Sequence, residues 1–176
     1  MLSPADWIQR LDLQAHPEGG FYRETHRSGM CFPGDGGSAV FPAGRSHSTA
    51  IYFLLEQGNF SAFHRIRSDE IWHFYVGDGL LIHVIDADGE YSCLQLGANL
   101  PEGQLPQAVV PAGCWFASEV VPGGVFSLVG CTVAPGFHFD DFELADGIEL
   151  SACHTQHASL IRRLTRHRPE KNSGTG

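Results

Sequence analysis

From residue 49 onward, apolar and polar positions alternate in short runs, the period of strands rather than of helices. Residues 49–55, 60–66, 71–76, 80–85 and 91–96 are rich in β-branched and aromatic side chains, with Glu-Gln-Gly, Arg-Ser-Asp, Gly-Asp-Gly and Asp-Ala-Asp-Gly turns between them. Further runs follow at 107–110, 115–121 and 125–133, the last two split by Pro122, Gly123 and Gly124. Eight or more short strands punctuated by turns predict a sandwich, jelly roll or barrel. Ahead of them, residues 3–13 read as a short helix. Ser3 caps it, Pro4 fits its first turn, Asp6 takes the capping-box position, and Ile8 and Leu11 share a face with Trp7 beside them. The segment 16–20 ends that helix and starts an extended piece at 21–27, and residues 30–45 form a glycine- and proline-bearing loop. A C-terminal helix over 155–166 is predicted from Ala158, Leu160, Ile161 and Leu164, with Arg162, Arg163 and Arg166 in its last turns, and 170–176 reads as a solvated tail.

Composition sharpens this picture. With 21 glycines and 10 prolines in 176 residues the chain has too many breakers for a helical bundle, and 12 Phe, 4 Tyr and 3 Trp suit half-buried pleated surfaces. The length fits one domain, 1–176, with its core at 16–145. A formal charge of -9 argues against a phosphate-neutralising surface, so nucleic acid is not an expected partner, although a local basic pocket for a small anion remains open. Five widely spaced cysteines without a CxxC pair match free thiols in a reducing compartment. No signal peptide and no apolar run of roughly 20 residues is visible, so a cytoplasmic location without membrane contact is expected. Around residue 73 the strand is apolar on both faces, Ile71, His73 and Tyr75 alternating with Trp72, Phe74 and Val76. Such a strand is covered outside as well as inside, by a second element or by a partner subunit, and a homodimer is expected on this ground.

The stretch between Gly58 and Gly79 carries the candidate chemistry. Period-two alternation puts Phe60, Ala62, His64 and Ile66 on one face of a hairpin strand and Glu70, Trp72, Phe74 and Val76 on one face of the return strand. If those faces coincide, His64 and Glu70 point together into the cavity. The spacing of Gly58, His64, Glu70 and Gly77 resembles the first cupin motif, and Pro111-Ala112-Gly113 part of the second. "HPEGGFYRETHRS", "STAIYFLL", "FHRIRSDEIWHFYVGD", "VVPAGCWFASE" and "SLVGCTVAPGFHFDDFEL" together resemble the cupin-like DUF985 (cupin_5) family from His16 to Leu144. The resemblance implies an all-β fold, a double-stranded β-helix or jelly-roll cupin with short N- and C-terminal helices. It also implies a dimer, and the family has no settled activity.

Where a metal-binding cupin has its second histidine this chain has Ile66, and where the second motif supplies another it has Phe116. His64 and Glu70 alone remain of four ligands, too few for tight binding of a divalent metal. Of the nearest substitutes, His73 has the wrong strand parity, and the facing of His83 is open. No metal site is therefore favoured; if a metal binds, His64 and Glu70 hold it. Without metal, an imidazole beside a carboxylate is held in one tautomer and made more basic, which suits proton abstraction next to a carbonyl. Metal-free sugar-nucleotide epimerases of the cupin superfamily pair a histidine base with a tyrosine, and Tyr22, Tyr52 and Tyr75 are the candidates for that tyrosine. The catalytic expectation is thus His64 and Glu70, with Arg23, Thr25, Trp72, Phe116, Ser118 and Asp140 as candidate ligand-binding residues. Arg23 offers a fork to phosphate or carboxylate, or else pairs with Glu24. Trp72 and Phe116 stack a ring, or else fill the barrel wall. Asp140, Asp141 and Glu143 read as a solvated loop or as a cap for the next turn. Three functions stay open. The first is a metal-independent cupin that binds a nucleotide, nucleoside diphosphate sugar or sugar phosphate, with isomerase or epimerase chemistry. The second is a non-catalytic binding or storage cupin, and the third is a metal-dependent cupin enzyme.

Overall fold

The computed structural model describes residues 2–32, 41 and 43–166. The tail 170–176 and most of the loop 30–45 lie outside the described residues. At the N-terminus, α1 (Pro4–Leu11) is capped as its sequence dictates. Ser3 Oγ accepts the Asp6 amide and Asp6 accepts the Ser3 amide, a reciprocal capping box.

Thirteen strands follow among the described residues. The extended run appears as β2 (Phe21–Arg27), after a two-residue β1 (Gln14–Ala15), and β3 (Cys31–Phe32) pairs with β4 (Arg45–Ser46) at the ends of the loop. The eight expected strands are β5 (Thr49–Glu56), β6 (Phe60–Arg65), β7 (Asp69–Gly77), β8 (Leu80–Ile85), β9 (Tyr91–Leu96), β10 (Gln107–Val110), β11 (Trp115–Val120) and β12 (Phe126–Ala134). A short β13 (Glu143–Leu144) adds to β6. One sheet has six strands in the order β1-β2-β5-β12-β7-β10, the other five in the order β13-β6-β11-β8-β9. Facing each other, they form the two-sheet jelly roll that turn-punctuated strands predict.

Phe53, Trp72, Ile82, Phe116 and Val129 fill the space between the sheets. Outside the larger sheet, Leu54, Phe126 and Leu128 are covered by α1 and Leu13. Outside the smaller sheet, Phe63, Ile85 and Ala117 are covered by Leu150, Ile161 and Leu164. Those three come from α2 (Gly147–Cys153), α3 (Ala158–Arg163) and the residue after α3. The helix expected at 155–166 is a 3-10 turn (Thr155–His157) continued by α3. The sequence reading missed α2, which Asp146 caps by accepting the Ile148 and Glu149 amides.

Two local expectations are corrected. Alternation does not run evenly through β6, because its pairing with β11 shifts register between Phe116 and Ser118. Across this bulge Phe60 and Phe63 pack outward against the helices, while His64 turns inward onto Phe116. Asp141 is not a solvated loop acid: it is buried at 7% exposure and accepts both Nε (2.5 Å) and Nη2 (2.7 Å) of the equally buried Arg45. A bidentate fork at that depth joins β4 to the turn after β12, and removing one partner of such a pair typically costs about 3–5 kcal/mol.

Candidate functional site

At one end of the barrel the inward faces of β2, β5, β6, β7 and β12 enclose a cavity of about 520 Å³, roofed by Phe137, Phe139 and Phe142 after β12. His64 and Glu70 both line it. They reach it from opposite sheets, and the carboxyl group on the imidazole is not that of Glu70. His64 Nε2 lies 3.1 Å from Glu18 Oε2, and His64 Nδ1 lies 2.7 Å from the Ala62 carbonyl oxygen. The carbonyl can only accept, so Nδ1 carries the proton and Nε2 is left to accept one from the Glu18 carboxyl. Ser61 Oγ donates to the other Glu18 oxygen (2.9 Å). Glu70 instead takes the Cys131 thiol as its hydrogen-bond partner.

The turn 16–20 delivers Glu18. The His16 amide donates to the Gly20 carbonyl (3.0 Å), and Gly19 takes a positive φ of 117° that side chains rarely adopt. The Glu18 amide donates to His16 Nδ1 (3.3 Å), which puts the proton of a neutral His16 on Nε2. No hydrogen bond to that nitrogen occurs among the described residues, so the His16 ring brings one donor to the cavity wall.

Burial governs the electrostatics. Desolvation takes His64 down to about 3 and His16 down to about 4, so both rings are neutral at pH 7. This overturns the expectation of a more basic imidazole, because the environment withdraws solvent without supplying a stable countercharge. Desolvation, and after it the nearby Glu70, hold Glu18 well above the carboxylate range; burial pushes Glu70 up to about 7. At this burial an uncharged carboxyl-to-imidazole hydrogen bond costs less than two desolvated ions.

The other sequence-selected residues are dispersed. Arg23 and Thr25 do not line the cavity; Arg23 is opposite Tyr52 in the strand pairing, and the Thr25 hydroxyl donates to the Ala50 carbonyl (3.1 Å). Glu24 pairs with Arg27 (2.7 and 2.9 Å), not with Arg23, and both sit at the cavity mouth. Trp72 and Phe116 are fully buried wall residues, their rings 6.4 Å apart. Ser118 is fully buried on β11, two residues after Phe116, and among the described residues neither its hydroxyl nor Trp72 Nε1 has a hydrogen-bond partner. Asp140 is exposed outside the cavity, its amide donating to His138 Nδ1 (3.2 Å). Of the three tyrosines, Tyr22 lines the cavity with its ring 4.5 Å from His16, whereas Tyr75 is half exposed and packs edge-on against Tyr52.

The donor set does not fit a cupin metal. His64 Nε2, the nitrogen a metal would need, faces Glu18, and Ile66 and Phe116 bring only carbon. His73 bonds Thr132 (3.1 Å), and His83 bonds Glu119 (3.1 Å) and Tyr91 (2.9 Å) away from the cavity. Among the described residues no group of three or more His, Cys, Asp or Glu side chains is arranged to hold a metal ion. Sequence reasoning missed His16, Glu18 and Arg27. The signal was present, since a histidine and a glutamate flank Pro17 inside the family signature, but breaker residues led that stretch to be read as a turn alone.

The fold has relatives of known structure. A protein of Shewanella oneidensis superposes with a TM-score of 0.86 at 42% identity, over 96% of this chain and 100% of that one. A hypothetical protein from Leishmania major gives 0.85 at 35% identity, over 94% and 100%. An uncharacterised protein of Saccharomyces cerevisiae is 32% identical over 160 residues, 84% of this chain and 79% of its own length. No helix among the described residues is long and apolar enough to cross a membrane. The profile of the cupin superfamily family DUF985 matches residues 5–145, and with the two-sheet fold, His64 and Glu70 inside it, this chain belongs to that family.

Proposed function

We propose that this cupin binds a small polar ring compound without a metal and moves a proton at a carbon beside a carbonyl, as an isomerase or epimerase does. The observation that carries the reading is Glu70: a buried carboxyl on the cavity wall, raised to about 7, is suited to take and return a proton near neutrality. Ionised Glu70 takes the proton from carbon, and negative charge develops on the carbonyl oxygen. Donors for that oxygen are His16 Nε2–H and the Tyr22 hydroxyl, and protonation at the neighbouring carbon or on the opposite face completes the step. Tyr22, Phe137, Phe139 and Phe142 suit the faces of a ring. Among the described residues that line the cavity Arg27 is the one Lys or Arg side chain, and it stands at the mouth. A sugar phosphate, nucleotide or nucleoside diphosphate sugar is therefore oriented with its ring inside and its phosphate outside. Five free cysteines support a reducing compartment such as the cytoplasm.

A non-catalytic binding role is favoured by one observation. Both His64 nitrogens and both Glu18 oxygens already have protein partners, so this pair needs no ligand to be satisfied. Thermal-shift screening in EDTA against these three ligand classes, followed by deuterium exchange into a stabilising carbonyl compound, separates the readings. We expect a shift in the presence of EDTA, exchange in the wild type, and a Glu70→Gln variant that keeps the shift and loses the exchange. No shift at millimolar concentration sinks the ligand class. Binding without exchange leaves the non-catalytic role standing, and binding only after metal is restored overturns metal independence.

A further inference from the structure

The turn that carries Glu18 is held from outside by a single guanidinium. The Glu18 carbonyl accepts from the Ala62 amide (2.9 Å) and from Arg166 Nε (3.0 Å). Arg166 Nη2 also donates to Asn59 Oδ1 (2.7 Å) and to the Phe60 carbonyl (2.8 Å), and the guanidinium carbon lies 4.4 Å from the centre of the Phe60 ring. A planar fork can satisfy several acceptors at once and stack on an aromatic face; an ammonium cannot do both. The packing leaves no slack, since a Cβ at Gly19 would stand 2.1 Å from the Phe60 oxygen and 2.3 Å from Arg166 Nη2.

The contacts continue into the pair. Ala62, whose amide meets Glu18, uses its carbonyl to accept His64 Nδ1–H (2.7 Å). On the other side, Leu164 is buried at 1% exposure and its carbonyl accepts the Phe63 amide (2.8 Å), so the chain leaving α3 is fastened along β6. Arg166 also brings positive charge toward the Glu18 carboxyl and opposes the effect of its burial.

We infer that Arg166 is a positioning residue of the cavity: by fixing the Glu18 carbonyl it aims the Glu18 carboxyl at His64 Nε2, and the seating of the C-terminal helix thereby sets the geometry of the pair. This rests on reading the cavity as the functional site, but its test needs no substrate. Full-length protein labelled with 15N in its histidine rings, with His64 assigned through His64→Gln, reports the tautomer and the bond at Nε2. Wild type should show a protonated Nδ1 and an accepting Nε2. Arg166→Met keeps the packing on Phe60 and removes the donors; it should move the Nε2 resonance toward that of an unbonded nitrogen at unchanged pH. Arg166→Lys should move it the same way by less. Arg163→Met is the control, because Arg163 anchors the same helix to Glu119 (2.5 and 2.8 Å) away from the cavity. It should lower Tm and leave His64 unchanged.

If Arg166→Met and Arg166→Lys lower Tm as Arg163→Met does while His64 keeps its wild-type resonances, Arg166 is only a fastener and the inference fails. A wild-type Nε2 with no bond to Glu18 overturns it as well. Failure of the functional reading shows elsewhere, in the ligand screen and in the Glu70→Gln exchange.

Discussion

In an unfolded chain the rings of His16 and His64 take up protons below their ordinary value of 6.5, and Glu70 releases its proton above 4.5. Folding reverses both preferences. His16 stays neutral down to about 4, so between 6.5 and 4 the unfolded state binds more protons and stability falls as pH falls. Glu70 stays protonated up to about 7, so between 4.5 and 7 the folded state binds more protons and stability falls as pH rises. The Glu18 and His64 pair shares one proton when folded. Its unfolded counterparts hold two below 4.5, one between 4.5 and 6.5, and none above. These four groups therefore cancel between pH 4.5 and 6.5 and give losses on either side, each unbalanced proton being worth about 1.4 kcal/mol per pH unit. Glu70→Gln removes one side of the balance. Urea midpoints for that variant, set against wild type, should show a relative stability that climbs from pH 4.5 to 6.5. A difference independent of pH would mean that Glu70 is not protonated in the folded protein.

Strands were the legible part of this chain because each element's period is written in its own residues. Phe53 and Leu55 point inward and Leu54 outward, as alternation requires, and most turns between strands carry a glycine or aspartate. The bulge in β6 was not legible, because it belongs to the pairing with β11 rather than to β6 alone. Nor was α2, a short helix whose sequence offers Leu150 as its main buried contact and is stabilised by the sheet beneath it. The candidate site was half legible: spacing pointed to His64 and Glu70, but Glu18 comes from 46 positions upstream of His64 in a stretch whose composition signals only a turn. That turn is testable as an element. Gly19→Ala must hold φ at 117° and force a Cβ against the Phe60 carbonyl. A loss of about 2 kcal/mol or more in chemical unfolding is expected. A variant as stable as wild type would show that the turn relaxes without strain.

At the scale of the molecule, the helices shield the smaller sheet and one end of the larger, and leave part of the larger sheet's outer face open. There Tyr75 is 51% exposed across Gly130, where a Cβ would stand 2.2 Å from the tyrosine oxygen, and Val109 is 48% exposed on the edge strand β10. Apolar side chains left open on an otherwise covered sheet fit a second copy of the chain. Light scattering should give about twice the 19.2 kDa chain mass, and Val109→Lys should shift it to the monomer with an unchanged circular dichroism spectrum. A monomeric wild type would remove the argument for self-association through this face.

The Glu18 carboxyl on His64 also bears on redesign. Ile66 and Phe116 stand at the two positions where histidines would complete a metal set, so grafting imidazoles there looks like the direct route to an oxygenase scaffold. Such a graft would still meet a His64 whose coordinating lone pair is taken up by the proton of the Glu18 carboxyl. An engineer would do better to begin at position 18, replacing the acid with alanine to free that lone pair, and to add the new histidines afterwards.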